Sequence, residues 1–258
     1  LHSMLPSDFM FIAHRGESYD APENTLTSVN LAWQKGATAV EVDVHLSKDN
    51  KIVVIHDLST ARTGGKKKRV KAQTYDELRQ LDVGVYKGER WKGEKIPLLS
   101  EVLATVPPHG TLIVEIKCGK RVVPYLREEI EKTNLNPNQI VFIAFNFKTI
   151  CAVKEAFPNH KAYWLMLLDY FWPNRWFPYS TRKISKKVKR KNLDGINVWA
   201  GRVATKTFIQ GIKRQNLQVF VWVVNSPEKA KRFIAFGANG IATDRASWLK
   251  NSIESLDQ

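Results

Sequence analysis

Residues 39–57 read "AVEVDVHLSKDNKIVVIHD". Side chains alternate across a strand, so Glu41, Asp43 and His45 share one face while Val40, Val42 and Val44 share the other. The valines mark a buried strand. Two carboxylates side by side on such a strand carry a heavy desolvation cost unless a cation or a dense hydrogen-bond network offsets it. The stretch therefore reads as a core strand that serves a site, followed by the turn "SKDN" and a second strand, "KIVVIHD".

Working outward, the same alternation of apolar β-branched runs and helical patterns covers the chain. "FMFIAH" (9–14) reads as strand and "ENTLTSVNLAWQKG" (23–36) as helix, with Leu26, Val29 and Trp33 on one stripe. Further strands fall at "TLIVEIK" (111–117), "QIVFIAF", "KAYWLML", "GINVW", "QVFVWVVN" and "GIAT", each followed by a helical segment. Eight strand–helix units with no Pro-, Gly- or Ser-rich linker predict one α/β unit over 1–258, a closed (β/α)₈ barrel. A small lobe is inserted after the second strand, at about 58–97. An open doubly wound sheet would call for a glycine-rich turn after the first strand, and "HRGESYD" is not one.

Composition narrows the class. The chain has 258 residues, 43% hydrophobic and 25% charged, which suits a globular protein with an ample core. No apolar run is long enough to span a bilayer, and the first residues lack the pattern of a signal peptide. Cys118 and Cys151 have no metal-type spacing and form no disulfide framework, so reduced thiols and a cytoplasmic location, peripheral to the membrane if lipid is bound, are expected. The net charge of +15 is local. "GGKKKRVK" (64–71) and "RKISKKVKRK" (182–191) hold twelve basic residues between them, and without these the net charge falls to +3. Such patches attract phosphate-rich surfaces or serve as plain solvated faces.

In a barrel of this kind the C-terminal strand ends meet at one mouth. His14 and Arg15 close the first strand, Glu41 and Asp43 lie late in the second, and His56 ends its hairpin-like extension. Glu115 and Lys117 end the third, and Trp222 and Asn225 the seventh. Glu41, Asp43 and Glu115 offer hard oxygen ligands suited to Mg²⁺ or Ca²⁺. Arg15 and Lys117 suit a phosphate, and His14 and His56 can move protons near neutral pH. Together they suit phosphodiester cleavage, with one imidazole taking a proton from the nucleophile and the other protonating the leaving oxygen. Each feature alone has a structural explanation, and His45 reads as rim packing.

The motifs "HRG" with "PENT" (14–16, 22–25), "EVDVHLSKDNKIVVIHD" (41–57), "IPLLSEVL" (96–103), "EIK" (115–117) and "VWVVN" (221–225) resemble the glycerophosphodiester phosphodiesterase family over nearly the whole chain. The resemblance implies a TIM barrel with a small inserted lobe that uses a divalent cation, Mg²⁺ or Ca²⁺, to hydrolyse glycerophosphodiesters to glycerol 3-phosphate and an alcohol. It makes His14 and His56 the acid–base pair, Glu41, Asp43 and Glu115 the metal ligands, and Arg15 and Lys117 the phosphate grip. Trp222 would pack on the glycerol, and Glu23 and Asn24 would brace the site and cap the first helix, with Asn225 in support. The attacking group would be the substrate's own 2-hydroxyl, giving a cyclic phosphate that water opens. Arg62 matches the family's usual arginine.

One stretch departs from that pattern. "YWLMLLDYFWPNRWFPYSTRK" (163–183) carries Trp164, Tyr170, Phe171, Trp172, Trp176, Phe177 and Tyr179, and the basic helix follows at once. Aromatics beside lysines make an interfacial lipid anchor or a wall for an acyl chain, so peripheral membrane contact through 163–191 is one expectation and packing over the barrel helices the other. The alternative functions are therefore a lysophospholipase D-type activity on membrane lysophospholipids and a non-catalytic phospholipid-binding barrel. No module for reading nucleic acid is recognisable, and no such partner is expected.

Overall fold

The computed structural model describes residues 5–6, 8–168 and 180–255. Nine strands form one sheet: β1 (Met10–His14), β2 (Ala39–Leu46), β3 (Ile52–Val54), β4 (Thr111–Ile116), β5 (Ile140–Ala144), β6 (Lys161–Met166), β7 (Gly195–Trp199), β8 (Gln218–Trp222) and β9 (Gly240–Thr243). Eight of them pair in parallel, in the order β1-β9-β8-β7-β6-β5-β4-β2, and the β1–β2 pairing closes the ring. The sheet is the barrel predicted above. β3 lies outside the ring, antiparallel to β2, with Val44 opposite Val54.

Alternation on these strands builds two apolar layers. Val40, Val42 and Val44 of β2 and Leu112, Val114 and Ile116 of β4 face the surrounding helices and are all buried. Ile12, Ala39, Ile113, Ile143, Tyr163 and Phe220 form a separate cluster inside the ring. Each fully buried Val, Leu, Ile or Phe contributes roughly 1.5–3 kcal/mol, so both layers hold the strand ends in place. On the inner face of β2, Glu41, Asp43 and His45 are all buried, as the alternation required.

The first helix spans Leu26–Gln34, shorter than predicted. Its N-cap is Thr25, whose hydroxyl accepts from the Ser28 backbone N–H at 3.2 Å. The expected capping role of Glu23 and Asn24 is thus corrected. Asn24 has a left-handed backbone, φ 58°, and its side chain is engaged elsewhere, with Asp43.

The segment 58–97 folds into short helices, Ala61–Gly64 and Tyr75–Arg79, and single turns. Its small core is Val70, Leu78, Val83 and Ile96, packed on Val53 and Ile55. It is fastened beside the barrel mouth. Arg62 reaches Glu23, the Glu23 backbone N–H donates to the Tyr86 hydroxyl at 3.2 Å, and the Lys87 ammonium donates to the Ser18 carbonyl. Cys118 and Cys151 are free, and burial pushes the Cys118 thiol up to about 11, which makes it a poor nucleophile.

Candidate active site

Strand register assembles the mouth. His14 on β1 lies opposite Glu41 on β2, and Asp43 lies opposite Glu115 on β4. The result is a buried acidic trio: Glu41, Asp43 and Glu115 each place a carboxylate oxygen within 4.8 Å of the other two. Two cations lean on it. Lys117 Nζ sits 2.7 Å from Glu115 Oε1 and 3.3 Å from Asp43 Oδ1. Arg15 Nε lies 3.4 Å from Asp43 Oδ2, and its backbone N–H donates to Glu41 Oε2 at 2.9 Å. Asn24 fixes Asp43 from both sides, donating from Nδ2 at 2.8 Å and accepting the Asp43 backbone N–H at 3.0 Å.

These contacts divide the trio. Burial opposes ionisation of Asp43, but Lys117 and Arg15 hold it well below the usual carboxylate range. Glu41 is pushed well up by burial and by the charges of Asp43 and Glu115. Glu115 is pushed up to about 7 by burial and Asp43, against the pull of Lys117. Glu41 Oε1 is buried and has no partner. A close set of hard oxygens with one acceptor to spare suits a divalent cation such as Mg²⁺ or Ca²⁺. The described residues therefore include a cluster able to hold a metal.

An imidazole stands on either side, each with Nδ1 tied to a carboxylate. His14 Nδ1 lies 2.7 Å from Asp244 Oδ1, and His56 Nδ1 lies 2.7 Å from Asp57 Oδ1. A carboxylate at Nδ1 fixes the tautomer that leaves Nε2 free for proton transfer. The carboxylates differ in their own partners. Asp244 accepts from Asn225 Nδ2 at 2.7 Å and from the Ser18 hydroxyl at 3.3 Å, both neutral. Asp57 accepts from Arg62 Nε at 2.8 Å. Arg62 also grips Glu23 through two bonds of 2.7 and 2.8 Å, and Glu23 in turn holds Arg15 at 2.9 Å. Burial lowers the proton affinity of His56, and Lys117 and Arg15 add to this against the pull of Asp43.

His45 stays outside the acidic trio, its Nε2 paired with the His56 carbonyl at 3.0 Å, where it braces that strand end. Trp222 meets the ring of Phe145 edge-on, centroids 5.6 Å apart, and the Lys117 ammonium lies 5.8 Å from the same ring. Phe145 and Trp199 are exposed beside them, so one side of the mouth is an aromatic wall. His14, Arg15, Glu23, Asn24, Glu41, Asp43, His56, Glu115 and Lys117 are thus linked through one network of contacts at the mouth.

Residues 14–247 match the model of the "Glycerophosphoryl diester phosphodiesterase family". The chain belongs to that family. It is 31% identical over 248 residues to a glycerophosphodiester phosphodiesterase of Caldanaerobacter subterraneus subsp. tengcongensis, covering 95% of this chain and 97% of the relative. More distantly, it is 24% identical over 272 residues to a human lysophospholipase D, covering 95% and 86% of the two chains. A phosphodiesterase of Oleispira antarctica, solved with the product sn-glycerol 3-phosphate, superposes with a TM-score of 0.83 at 25% identity, covering 94% of this chain and 96% of that one. The enzyme class read from the motifs, a phosphoric diester hydrolase, stands with the glycerophosphoryl diester phosphodiesterase family.

Sequence reasoning passed over Asp244 and Phe145 as site residues and noted Asp57 at its strand end without giving it a role. Asp244 ends "GIATD", and the strand-end rule that selected Glu115 applies to it equally. Asp57 directly follows His56, but adjacency in a chain does not reveal which way two side chains turn. Asn225 acts through Asp244, as its Oδ1 also accepts the Asp244 backbone N–H at 2.9 Å and the Thr243 hydroxyl at 2.8 Å.

Proposed function

We propose that this chain hydrolyses glycerophosphodiesters to sn-glycerol 3-phosphate and an alcohol, with one barrel unit carrying the whole site and the 58–97 lobe inserted in it. The observation that carries the reading is the pair of carboxylate-pinned imidazoles, His14–Asp244 and His56–Asp57, flanking the buried trio Glu41, Asp43 and Glu115. Glu41, Asp43 and Glu115 would hold one divalent cation, Mg²⁺ or Ca²⁺. Such a cation supplies the positive charge that acidifies a bound hydroxyl and steadies the phosphate's developing charge. Arg15 and Lys117 grip the phosphate oxygens, and Trp222 packs on the glycerol carbons.

The unequal partners of the two carboxylates support a division of roles. Arg62 takes part of the Asp57 charge, which weakens the hold of Asp57 on a protonated His56. In this reading His56 takes the proton from the substrate's 2-hydroxyl, and His14 gives a proton to the leaving alcohol. The P–O bond to the alcohol breaks as the bond from the 2-oxygen forms, leaving a cyclic phosphate. Water then opens the ring with the proton flow reversed, restoring both imidazoles.

The test is release of glycerol 3-phosphate from glycerophosphodiesters by metal-stripped protein, with Mg²⁺ or Ca²⁺ added back. We expect no activity without metal and a loss of at least about 10²-fold in His14→Ala. Undiminished activity after chelation or in His14→Ala would refute the reading.

A second reading, lysophospholipase D-type action on membrane lysophospholipids, is favoured by the exposed aromatics at the mouth. On the basic helix Thr181–Lys189, Lys187 lies over the rings of Phe147 and Trp164, 4.1 and 4.4 Å from their centroids. Tyr170, Phe171, Trp172, Trp176, Phe177 and Tyr179, central to the anchor idea, lie outside the described residues. Among the described residues no helix is long and apolar enough to cross a membrane, so in this reading contact is peripheral, from the cytoplasmic side. Co-sedimentation with anionic vesicles should fall when Trp172 and Trp176 are replaced by alanine; binding that is unchanged, or absent from the start, ends this reading.

A further inference from the structure

The interiors of closed eight-stranded barrels are filled by layers of side chains. Here that filling, by Ile12, Ile113, Ile143, Tyr163 and Phe220, leaves part of the half remote from His14 and His56 open. A cavity of about 220 Å³ opens at the N-terminal end of the strands, walled by Ile12, Ile113, Val141, Ile143 and Phe220. Sequence explains the void: inward positions on β2, β7 and β9 carry Ala39, Gly195, Gly240 and Ala242, too short to reach the axis. At Gly195 and Gly240 nothing larger fits, because an added Cβ would fall 2.0 Å from the Gln218 carbonyl oxygen and 2.6 Å from that of Met10.

Beside its apolar walls the cavity is lined by polar residues at the strand starts, Asp8, Thr111, Asn138, Lys161, Gln218 and Asn239, and by one buried polar group that lacks a partner. Asn197 lines it, is 5% exposed, and leaves its side-chain oxygen buried with no partner. A buried acceptor without a donor is costly, and nearly all such groups in folded proteins find one. The Tyr163 hydroxyl, also on this lining, cannot serve, because it already donates to Gln218. At the entrance Asp8 and Lys161 bring one charge of each sign, so the opening selects for neither anion nor cation.

We propose that this cavity is a second small-molecule site, separate from the catalytic mouth, which takes a neutral amphiphile: a compact apolar body carrying one hydroxyl that donates to Asn197. The apolar wall sets the body, the orphan acceptor sets the donor, and the balanced entrance sets neutrality. Ile12 lies two residues below His14, about 7 Å along the same strand, so the occupant sits directly beneath the acidic trio without touching it.

Phenol is the probe and toluene its counterpart without the donor. In crystals of the full chain soaked in phenol, density should appear in the lower cavity with the phenol oxygen within hydrogen-bond distance of Asn197. By ligand-observed NMR, phenol should bind about fivefold more tightly than toluene. Asn197→Leu should abolish that preference, and Ile143→Trp, which fills the cavity, should abolish both signals. Should Ile143→Trp fail to fold by circular dichroism, the soak and the Asn197→Leu comparison still decide. Phenol absent from the cavity in the soak, equal binding of the two probes, or a preference that survives Asn197→Leu would overturn the proposal.

Discussion

His14 and His56 each tie Nδ1 to a carboxylate at 2.7 Å, yet the two carboxylates have different partners of their own. Asp244 accepts hydrogen bonds from Asn225 and Ser18, both neutral, and feels the charge of Lys87 without a direct bond to it. Asp57 is held by Arg62, which orients it and also cancels part of its charge. In the reaction proposed above, which takes one proton and gives another, that difference between the two carboxylates is the ground for giving the two imidazoles separate tasks. The lesson is that the role of an acid–base residue can be set by the partner of its partner.

The largest effect should come from removing the imidazoles themselves. His14→Ala and His56→Ala should each lower kcat by about 10²–10⁴-fold on an alkyl-alcohol diester. They should part company on a diester whose leaving group is p-nitrophenol, which needs no proton to depart. His14→Ala should then recover most of its rate and His56→Ala should not; the opposite pattern would exchange the two roles.

Next come the orienting carboxylates. Asp244→Asn and Asp57→Asn should each cost roughly 10–100-fold in kcat, the larger loss falling at Asp244, with KM little moved. Equal losses would mean that Arg62 does not separate the pair.

Arg62→Ala should cost about tenfold or less at neutral pH but move the pH profile. With Arg62 gone the full Asp57 charge stabilises protonated His56. The acid limb of kcat/KM, where His56 must be neutral, should therefore shift to higher pH. An unmoved limb would remove the argument for His56 as the first base.

The smallest effect is on stability. Arg62 and the His56 ring hold Asp57 down at about 2, while His14 and Asn225, against the effect of burial, hold Asp244 at about 2. Both folded values lie below the unfolded value of about 3.9. These carboxylates therefore stabilise the fold above about pH 4, and their contribution is lost as pH falls toward 2. Asp244→Asn should flatten the fall in Tm over that window by about 2–4 °C, read by thermal unfolding at pH 4 and pH 2.

Much of this was legible in the chain. Period-two patterning put Glu41 and Asp43 on one face, and the rule that barrel chemistry sits at C-terminal strand ends selected His14, Glu115 and Lys117 without any coordinates. The first helix shows where local signals ran out. "PENT" offers three polar residues that can cap, and only the left-handed turn at Asn24, with its amide bound to Asp43, leaves Thr25 as the cap. The 169–179 aromatics remain an expectation from sequence.

What the sequence determined by itself was everything that depends on near neighbours: strand and helix spacing, which side chains share a face, and which residue types stand ready at strand ends. Closure of the sheet decided the rest. Asp244 is 230 residues from His14, and the two meet only because β9 pairs with β1. The Arg62–Glu23 bond and the void beneath the acidic trio likewise arise from where whole elements settle. Such contacts depend on three-dimensional distance, and no local periodicity encodes which of many distant carboxylates a given imidazole will meet.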